Sequence, residues 1–199
     1  MGYIFYLMGK SASGKDSLFR LLLEDPQLNL KTVVMYTTRP ARSGEKDGRE
    51  YFFRDEAFFH EMEKAGRVIE ARVYETVCGP WRYFTLDDGQ IDLDEADYLM
   101  IGTLESYEKT KRFFEEKGRE ALIPLYICAE DGERLERAVK RERGQQRPNY
   151  EEVCRRFLAD ARDFSEERLR ACGISRVFEN RALSDCEREL KAAIMEKLL

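Results

Sequence analysis

A three-layer α/β fold built on a parallel sheet is what this sequence predicts, and two features carry that expectation. The apolar run Tyr3-Ile4-Phe5-Tyr6-Leu7 leads through a glycine-bearing turn into Leu18-Phe19-Arg20-Leu21-Leu22-Leu23, whose apolar positions suit the buried side of a helix. Short apolar runs then alternate with amphipathic stretches for most of the chain, the pattern of parallel strands covered by helices on both faces. Ligands of such folds collect at the carboxyl ends of the strands.

The turn itself reads Met8-Gly9-Lys10-Ser11-Ala12-Ser13-Gly14-Lys15-Asp16-Ser17. Gly9 and Gly14 stand at the two glycine positions of a G-x-x-x-x-G-K phosphate loop, and Lys15 completes it. Glycine lets the backbone turn tightly enough for successive N–H groups to converge on one anion. The helix that follows adds unpaired donors and a partial positive charge. Gly9, Lys10, Ser11, Ala12, Ser13, Gly14, Lys15, Asp16 and Ser17 are thus the expected cradle for a nucleoside triphosphate, with Lys15 neutralising its outer phosphates. The position after the lysine, normally a Ser or Thr that binds Mg2+, is Asp16, followed by Ser17. Two readings stay open: the Asp16 carboxylate holds the metal, directly or through water, or Ser17 holds it and Asp16 favours the helix start.

The remaining elements follow in order. Asp25-Pro26 ends the first helix, and residues 31–38 read as a second strand. Residues 39–50 form a polar, glycine-containing loop without hydrophobic periodicity, long for a plain connection. A short strand at 51–53, a helix at 55–65, and strands at 68–74 and 81–86 joined through Cys78-Gly79-Pro80 make residues 35–90 a small mixed insertion. The main sheet resumes at 97–101. A helix at 104–116 follows, in which Tyr107, Phe113 and Phe114 read as core packing, and then a strand at 121–128 apolar enough to be buried on both faces. A charged helix at 131–143, a long helix at about 150–171 stopped by Gly173, a strand at 174–179 and a helix at 184–198 complete the chain.

Composition narrows the function classes. The 199 residues suffice for one domain, and 43% hydrophobic with 37% charged content describes a globular protein with a heavily charged surface. No apolar run is long enough to span a membrane, and the chain enters its first strand at once, so neither an anchor nor a signal peptide is expected. Five cysteines, Cys78, Cys128, Cys154, Cys172 and Cys186, are widely spaced and form no C-x-x-C pair. That argues against a disulfide framework or a metal cluster and makes a reducing cytoplasm the economical location. The formal net charge of −5 argues against a nucleic-acid coat. The one histidine, His60, lies within a helix and reads as a surface or packing residue.

Arg39 and Arg42 flank Pro40 in the long loop, and Tyr51 follows nearby. Two guanidinium forks and a phenol can hold a phosphate dianion through charge-assisted hydrogen bonds; surface charges on a solvated loop are the plainer alternative. The run Thr37-Thr38-Arg39-Pro40-Ala41-Arg42-Ser43-Gly44-Glu45, continuing through Asp47-Gly48 to Tyr51 and Phe53, resembles the acceptor-binding segment of guanylate kinases. Val68-Ile69-Glu70 matches the next segment of that family, and the similarity reaches the helix bearing Arg155-Arg156-Phe157-Leu158-Ala159.

The resemblance implies a P-loop nucleoside monophosphate kinase fold with a core (1–34, 91–130, 157–199), an acceptor-binding subdomain (35–90) and a helical lid (about 131–156). It implies two small-molecule substrates, MgATP as phosphoryl donor and GMP as acceptor, giving GDP. By the same matching Arg39, Arg42 and Tyr51 hold the acceptor phosphate and Glu70 takes the guanine N–H donors. Lys15, Arg143 and Arg156 would carry the transition-state charge, with Arg141 as the alternative to Arg143. Asn180 resembles a family asparagine that approaches the adenine.

The sequence departs from the family on the base side. The family serine that contacts the guanine oxygen aligns with Met35, and the tyrosine-glycine-serine/threonine turn aligns with Cys78-Gly79-Pro80; a register through Tyr83-Phe84-Thr85 needs an insertion. Leu99-Met100-Ile101-Gly102-Thr103 ends without the family's acidic pair. Two alternatives to GMP phosphorylation therefore stand: the same chemistry on another phosphate acceptor such as a phosphorylated ribose, and a non-catalytic module that binds a phosphorylated ligand.

Overall fold

The structure, a computed structural model, describes residues 2–42, 44–76 and 79–198. In chain order its elements are β1 (Ile4–Gly9), α1 (Lys15–Glu24), β2 (Lys31–Thr32), β3 (Tyr36–Thr37), β4 (Phe52–Phe53), α2 (Glu56–Lys64), β5 (Val68–Thr76) and β6 (Gly79–Leu86). There follow β7 (Tyr98–Gly102), α3 (Leu104–Glu116), β8 (Leu122–Cys128), α4 (Asp131–Arg143), α5 (Tyr150–Asp163), α6 (Glu166–Ala171), β9 (Val177–Glu179) and α7 (Leu183–Leu198). Among the described residues no helix is long and apolar enough to cross a membrane.

β1 is buried along its whole length and lies at the centre of the main sheet, whose order is β2-β7-β1-β8-β9 with every pair parallel. Its side chains alternate between two cores, as the two-residue period of a strand requires. Ile4, Tyr6 and Met8 pack with Leu104, Tyr107 and Phe114 of α3, whereas Phe5 and Leu7 pack with Leu18 and Leu22 of α1 and Leu190 and Ile194 of α7. Helices thus cover both faces, and the predicted three-layer arrangement holds. Truncating Leu7 to alanine in so closed a core should cost about 2–5 kcal/mol.

A second sheet, β4-β3-β6-β5, contains one parallel pair, β3 with β4, and otherwise antiparallel pairs. It has its own core of Tyr36, Phe84, Leu86 and the α2 residue Phe59, which matches the small mixed insertion read from residues 35–90.

Three expectations about elements need correction. The single strand at 31–38 is two strands in two sheets: β2 belongs to the main sheet and β3 to the second. Between them Gln90 acts as a surrogate partner strand, its Oε1 accepting the Val34 N–H at 2.9 Å and its Nε2 donating to the Val34 carbonyl at 3.2 Å. The long helix at 150–171 is broken after Asp163, because Phe164 is drawn into the core and Ser165 caps a new helix by accepting the Arg168 N–H. Gly79 and Pro80 form the start of β6 rather than a turn, and Cys78, on which the family comparison of that turn depends, lies outside the described residues.

Candidate active site

The phosphate loop leaves the end of β1 where β8 runs closest. An ideal Cβ on Gly9 would overlap the carbonyl oxygen of Ile127, so only glycine fits. The loop then passes through Ala12 at φ 60° and Gly14 at φ 92°, a left-handed backbone that glycine adopts without penalty. Gly14 caps α1 without any side-chain hydrogen bond, its carbonyl accepting the N–H groups of Ser17 and Leu18 at 3.1 Å each. The first amides of the helix therefore remain for an anion. Asn180 is buried beneath the loop; its Nδ2 donates to the Ser13 carbonyl at 2.8 Å and its own N–H to the Cys128 carbonyl at 2.8 Å. A Cβ on Gly14 would overlap that amide. In this arrangement Asn180 shapes the donor loop from below.

Lys15 Nζ lies 3.7 Å from the carboxylate of Asp16, whose side chain is 78% exposed. The exposed Asp16 carboxylate and the hydroxyl of Ser17 sit at the helix start as hard oxygen donors, so the residues present fit Mg2+.

Above the loop, α4 and α5 grip the Ser11 peptide from both ends. Asp160 Oδ2 accepts the Ser11 N–H at 2.7 Å, and Arg134 Nε donates to the Ser11 carbonyl at 3.0 Å. The two side chains are bonded to each other, Arg134 NH2 to Asp160 Oδ2 at 3.0 Å, and Arg134 also donates to Asp131. Arg134 is almost wholly buried, with Phe157 against its guanidinium at 5.1 Å. Next to it opens a cleft of about 150 Å³ lined by Ser11, Arg141, Glu152, Arg156 and Phe157 among others. Arg156 is tied there to Glu152 at 2.6 Å. Bonds from Arg155 first, and from Arg156, hold the Glu152 carboxyl down at about 2 although partial burial opposes them. Arg141 lines this cleft, and both it and Arg143 are exposed in the last turn of α4. Lys10 reaches Asp131 at 3.4 Å.

The acceptor loop is held by Arg39, whose side chain is 3% exposed. Its fork makes a bidentate pair with Glu45 at 2.9 and 3.0 Å, and its Nε donates to the Tyr83 hydroxyl at 3.1 Å. Glu45 also accepts the Arg42 N–H at 2.7 Å. The Arg39 bond, followed by that backbone bond, keeps its carboxyl below the usual range. Tyr51 stacks its ring 5.5 Å from the Arg39 guanidinium and edge-on to Tyr83, and burial raises its phenol. Arg39 and Tyr51 therefore meet, whereas Arg42 is exposed. Arg39 also borders a cavity of about 530 Å³ together with Thr38, Phe53 and Arg54.

Glu70 lies apart from both groups, in the seam between the two sheets. Its side chain is fully buried against Arg72, with Nε and Oε2 3.1 Å apart. Thr85 Oγ1 donates to Glu70 Oε1 at 3.1 Å, and Arg72 reaches Thr103 Oγ1 at 3.3 Å and Met35 Sδ at 3.7 Å. Burial lifts the Glu70 carboxyl above the usual range against the pull of Arg72. For Arg72, burial alone works against the charge, but the adjacent carboxylate more than reverses this and raises the guanidinium. At the end of β7 Gly102 leaves room for the Tyr6 hydroxyl and Ser106 Oγ, which bond to each other at 2.8 Å and which a Cβ there would overlap.

Sequence reasoning missed Arg134, Asp160, Arg72, Glu45 and Tyr83. Glu45 was within reach, since it lies in the same motif as Arg39, and Tyr83 belongs to the register that required an insertion. Arg134 stands in a cationic run before Pro148 most of which reads as a solvated helix face, and Asp160 carried no signal of its own.

Comparison with known proteins gives the same picture. The guanylate kinase family model matches residues 3–78, a stretch that includes β1 through β5. A guanylate kinase of Chromobacterium violaceum is 32% identical over 209 aligned residues, covering 94% of this chain and 91% of its own. One from Syntrophomonas wolfei is 31% identical over 176 residues, covering 86% of this chain and 76% of its own. In fold the chain is similar to the crystal structure of a guanylate kinase from Anaplasma phagocytophilum, with a TM-score of 0.66, 21% identity and 98% of this chain and 86% of that one covered. A phosphate loop, an arginine–tyrosine loop beside a separate sheet, and relatives matched over three quarters or more of their own length lead to one assignment: the chain belongs to the guanylate kinase family.

Proposed function

We propose that this protein transfers the γ-phosphate of ATP to a nucleoside monophosphate, converting GMP to GDP. The observation that carries the reading is the pairing, in one member of the guanylate kinase family, of an open helix N-terminus in the phosphate loop with an Arg39–Tyr51 acceptor loop on a second sheet. Residues 1–34, 91–130 and 157–199 would serve as the core, 35–90 as the acceptor-binding part and 131–156 as the lid.

In this reading the amides of the phosphate loop and first helical turn that are not already bonded within the protein, together with the ammonium of Lys15, hold the ATP phosphates. Asp16 or Ser17 would hold Mg2+, which when bound offsets charge between the phosphates. Arg39, Arg42 and Tyr51 hold the acceptor phosphate, and Glu70 meets the base. An acceptor phosphate oxygen attacks the γ-phosphorus as the bond to the ADP oxygen breaks; the acceptor is already anionic, so no general base is needed. Arg156, with Arg141 or Arg143, leaves its resting partner and approaches the transferring group, where negative charge spreads in the transition state. Both substrates are small molecules, and the unpaired cysteines Cys128, Cys154, Cys172 and Cys186 suit a cytoplasmic location.

The test is ADP formation with GMP, AMP, CMP, UMP and ribose phosphates as acceptors. GMP-dependent, Mg2+-dependent turnover that Lys15→Ala lowers at least about a hundredfold is expected. Turnover with a ribose phosphate but not with GMP would overturn the acceptor assignment, and ATP binding without any turnover would overturn the kinase reading itself.

A further inference from the structure

Among the described residues, three buried side-chain polar atoms have no hydrogen-bond partner, and two of them belong to one ion pair. They are Glu70 Oε2 and Arg72 Nε, 3.1 Å apart but turned so that the N–H does not aim at the oxygen. Buried polar atoms are normally satisfied. An acceptor and a donor left over side by side are complementary to a ligand edge that carries one donor next to one acceptor.

The other contacts of the pair leave one side lightly held. Glu70 Oε1 takes bonds from Thr85 at 3.1 Å and Arg72 NH2 at 3.3 Å, and Arg72 NH1 is on Thr103 at 3.3 Å. The half-buried Met35 stands on the remaining side, with Sδ 3.7 Å from Arg72 NH2, and the Tyr74 phenol also approaches the guanidinium. A thioether is a weak acceptor on a flexible stem, and it is the easiest partner in this shell to displace. Met35 is also where the family serine that contacts the guanine oxygen would stand.

Resting on the GMP reading above, we propose that Arg72 is a specificity-determining residue that donates to the ring carbonyl of a 6-oxopurine while Glu70 accepts the adjacent ring N–H. The pair reads the base as a unit, and Arg72 supplies the donor that Met35 lacks. Adenine presents the reverse pattern, an amine donor beside a ring acceptor, which sets the amine against the guanidinium and the ring lone pair against the carboxylate. Discrimination then comes from leaving buried groups unpaired with the wrong base.

The experiment compares kcat/KM for GMP, IMP and 2-aminopurine riboside monophosphate, at saturating ATP, in the wild type, Arg72→Lys and Arg72→Met. GMP and IMP share the carbonyl and ring N–H; the 2-aminopurine nucleotide lacks both. Arg72→Met is expected to lower kcat/KM for GMP and IMP by about 10- to 100-fold while leaving the 2-aminopurine value and the KM for ATP unchanged, with partial recovery in Arg72→Lys. If Arg72→Met does not fold, comparing Glu70→Gln with Glu70→Gln/Arg72→Met carries the same test without an unpaired buried carboxylate. An equal fall for all three acceptors, or no change in their ratio, would show a purely structural role and overturn the proposal. The wild-type arm is read separately: failure to phosphorylate GMP there removes the GMP reading, and this inference with it.

Discussion

One oxygen of Asp160 accepts the backbone N–H of Ser11 at 2.7 Å while receiving Arg134 at 3.0 Å, so a single carboxylate ties α5 to the phosphate loop. Arg134 holds the carbonyl of the same residue, which clamps the Ser11 peptide at both ends. A loop that must present amides to phosphates in one fixed arrangement gains from such an anchor, because binding then orders less of the chain.

Asp160→Ala is expected to lower stability by about 1.5–3 kcal/mol, since Arg134 keeps Asp131 but loses its more buried partner. It should also raise the KM for ATP. Asp160→Asn keeps an oxygen for the Ser11 N–H and should hold the KM near wild type while still losing stability. Urea unfolding and ATP titration separate the two effects; an unchanged KM in the alanine variant would exclude a positioning role.

Gly14→Ala places a methyl group on a left-handed residue and against the Asn180 amide. A stability loss of at least about 1 kcal/mol is expected, with weakened ATP binding by calorimetry. Full ATP affinity in this variant would mean that the loop tolerates a different path.

Glu45 holds both the Arg39 fork and the Arg42 amide, so it sets where the acceptor loop presents its cations. Glu45→Gln should raise the KM for GMP about tenfold and leave that for ATP alone, as loss of charge-assisted bonds on one substrate's side requires. Parallel changes in both constants would point instead to a general loss of folding.

Glu152 titrates lower in the folded chain than in the unfolded one, held down at about 2 by Arg155 and Arg156. A depressed carboxylate stabilises the fold fully above the ordinary glutamate range, and that contribution is lost as pH falls toward 2. The melting temperature of Glu152→Gln should therefore lie below that of the wild type at pH 6, and the gap should narrow between about pH 4.5 and pH 2.5. A gap independent of pH would show that Arg155 and Arg156 do not stabilise the charge.

Most of the main sheet was legible because one strand, one glycine loop and one helix start form a pattern with few alternatives, and β1 and β8 are apolar on both faces. The split of residues 31–38 was not legible, since β propensity says nothing about which sheet a strand joins. The break at Phe164 had a local signal in Ser165 followed by Glu166 and Glu167, a cap with an acidic first turn, which the helical periodicity on either side obscured. At the site, Gly9, Gly14 and Lys15 could be read because the motif fixes their backbone roles. Glu70 with Arg72 had a readable sign as well: opposite charges two residues apart fall on one face of a strand. Their burial was not readable, because it depends on how the second sheet meets the end of β7.

The two bonds between Val34 and Gln90 have a bearing on how such an enzyme can change. The chain leaves the main sheet after β2 and returns to it at β7, and Val34 pairs with Gln90 between those points, so the whole second sheet, with its separate aromatic core, is one continuous insertion. A segment attached in that way can be altered or exchanged without rethreading the donor half. The unusual residues on the base side, Met35 and Arg72, lie within that insertion. Acceptor preference can thus drift by substitution within one continuous segment while the phosphate loop stays as it is.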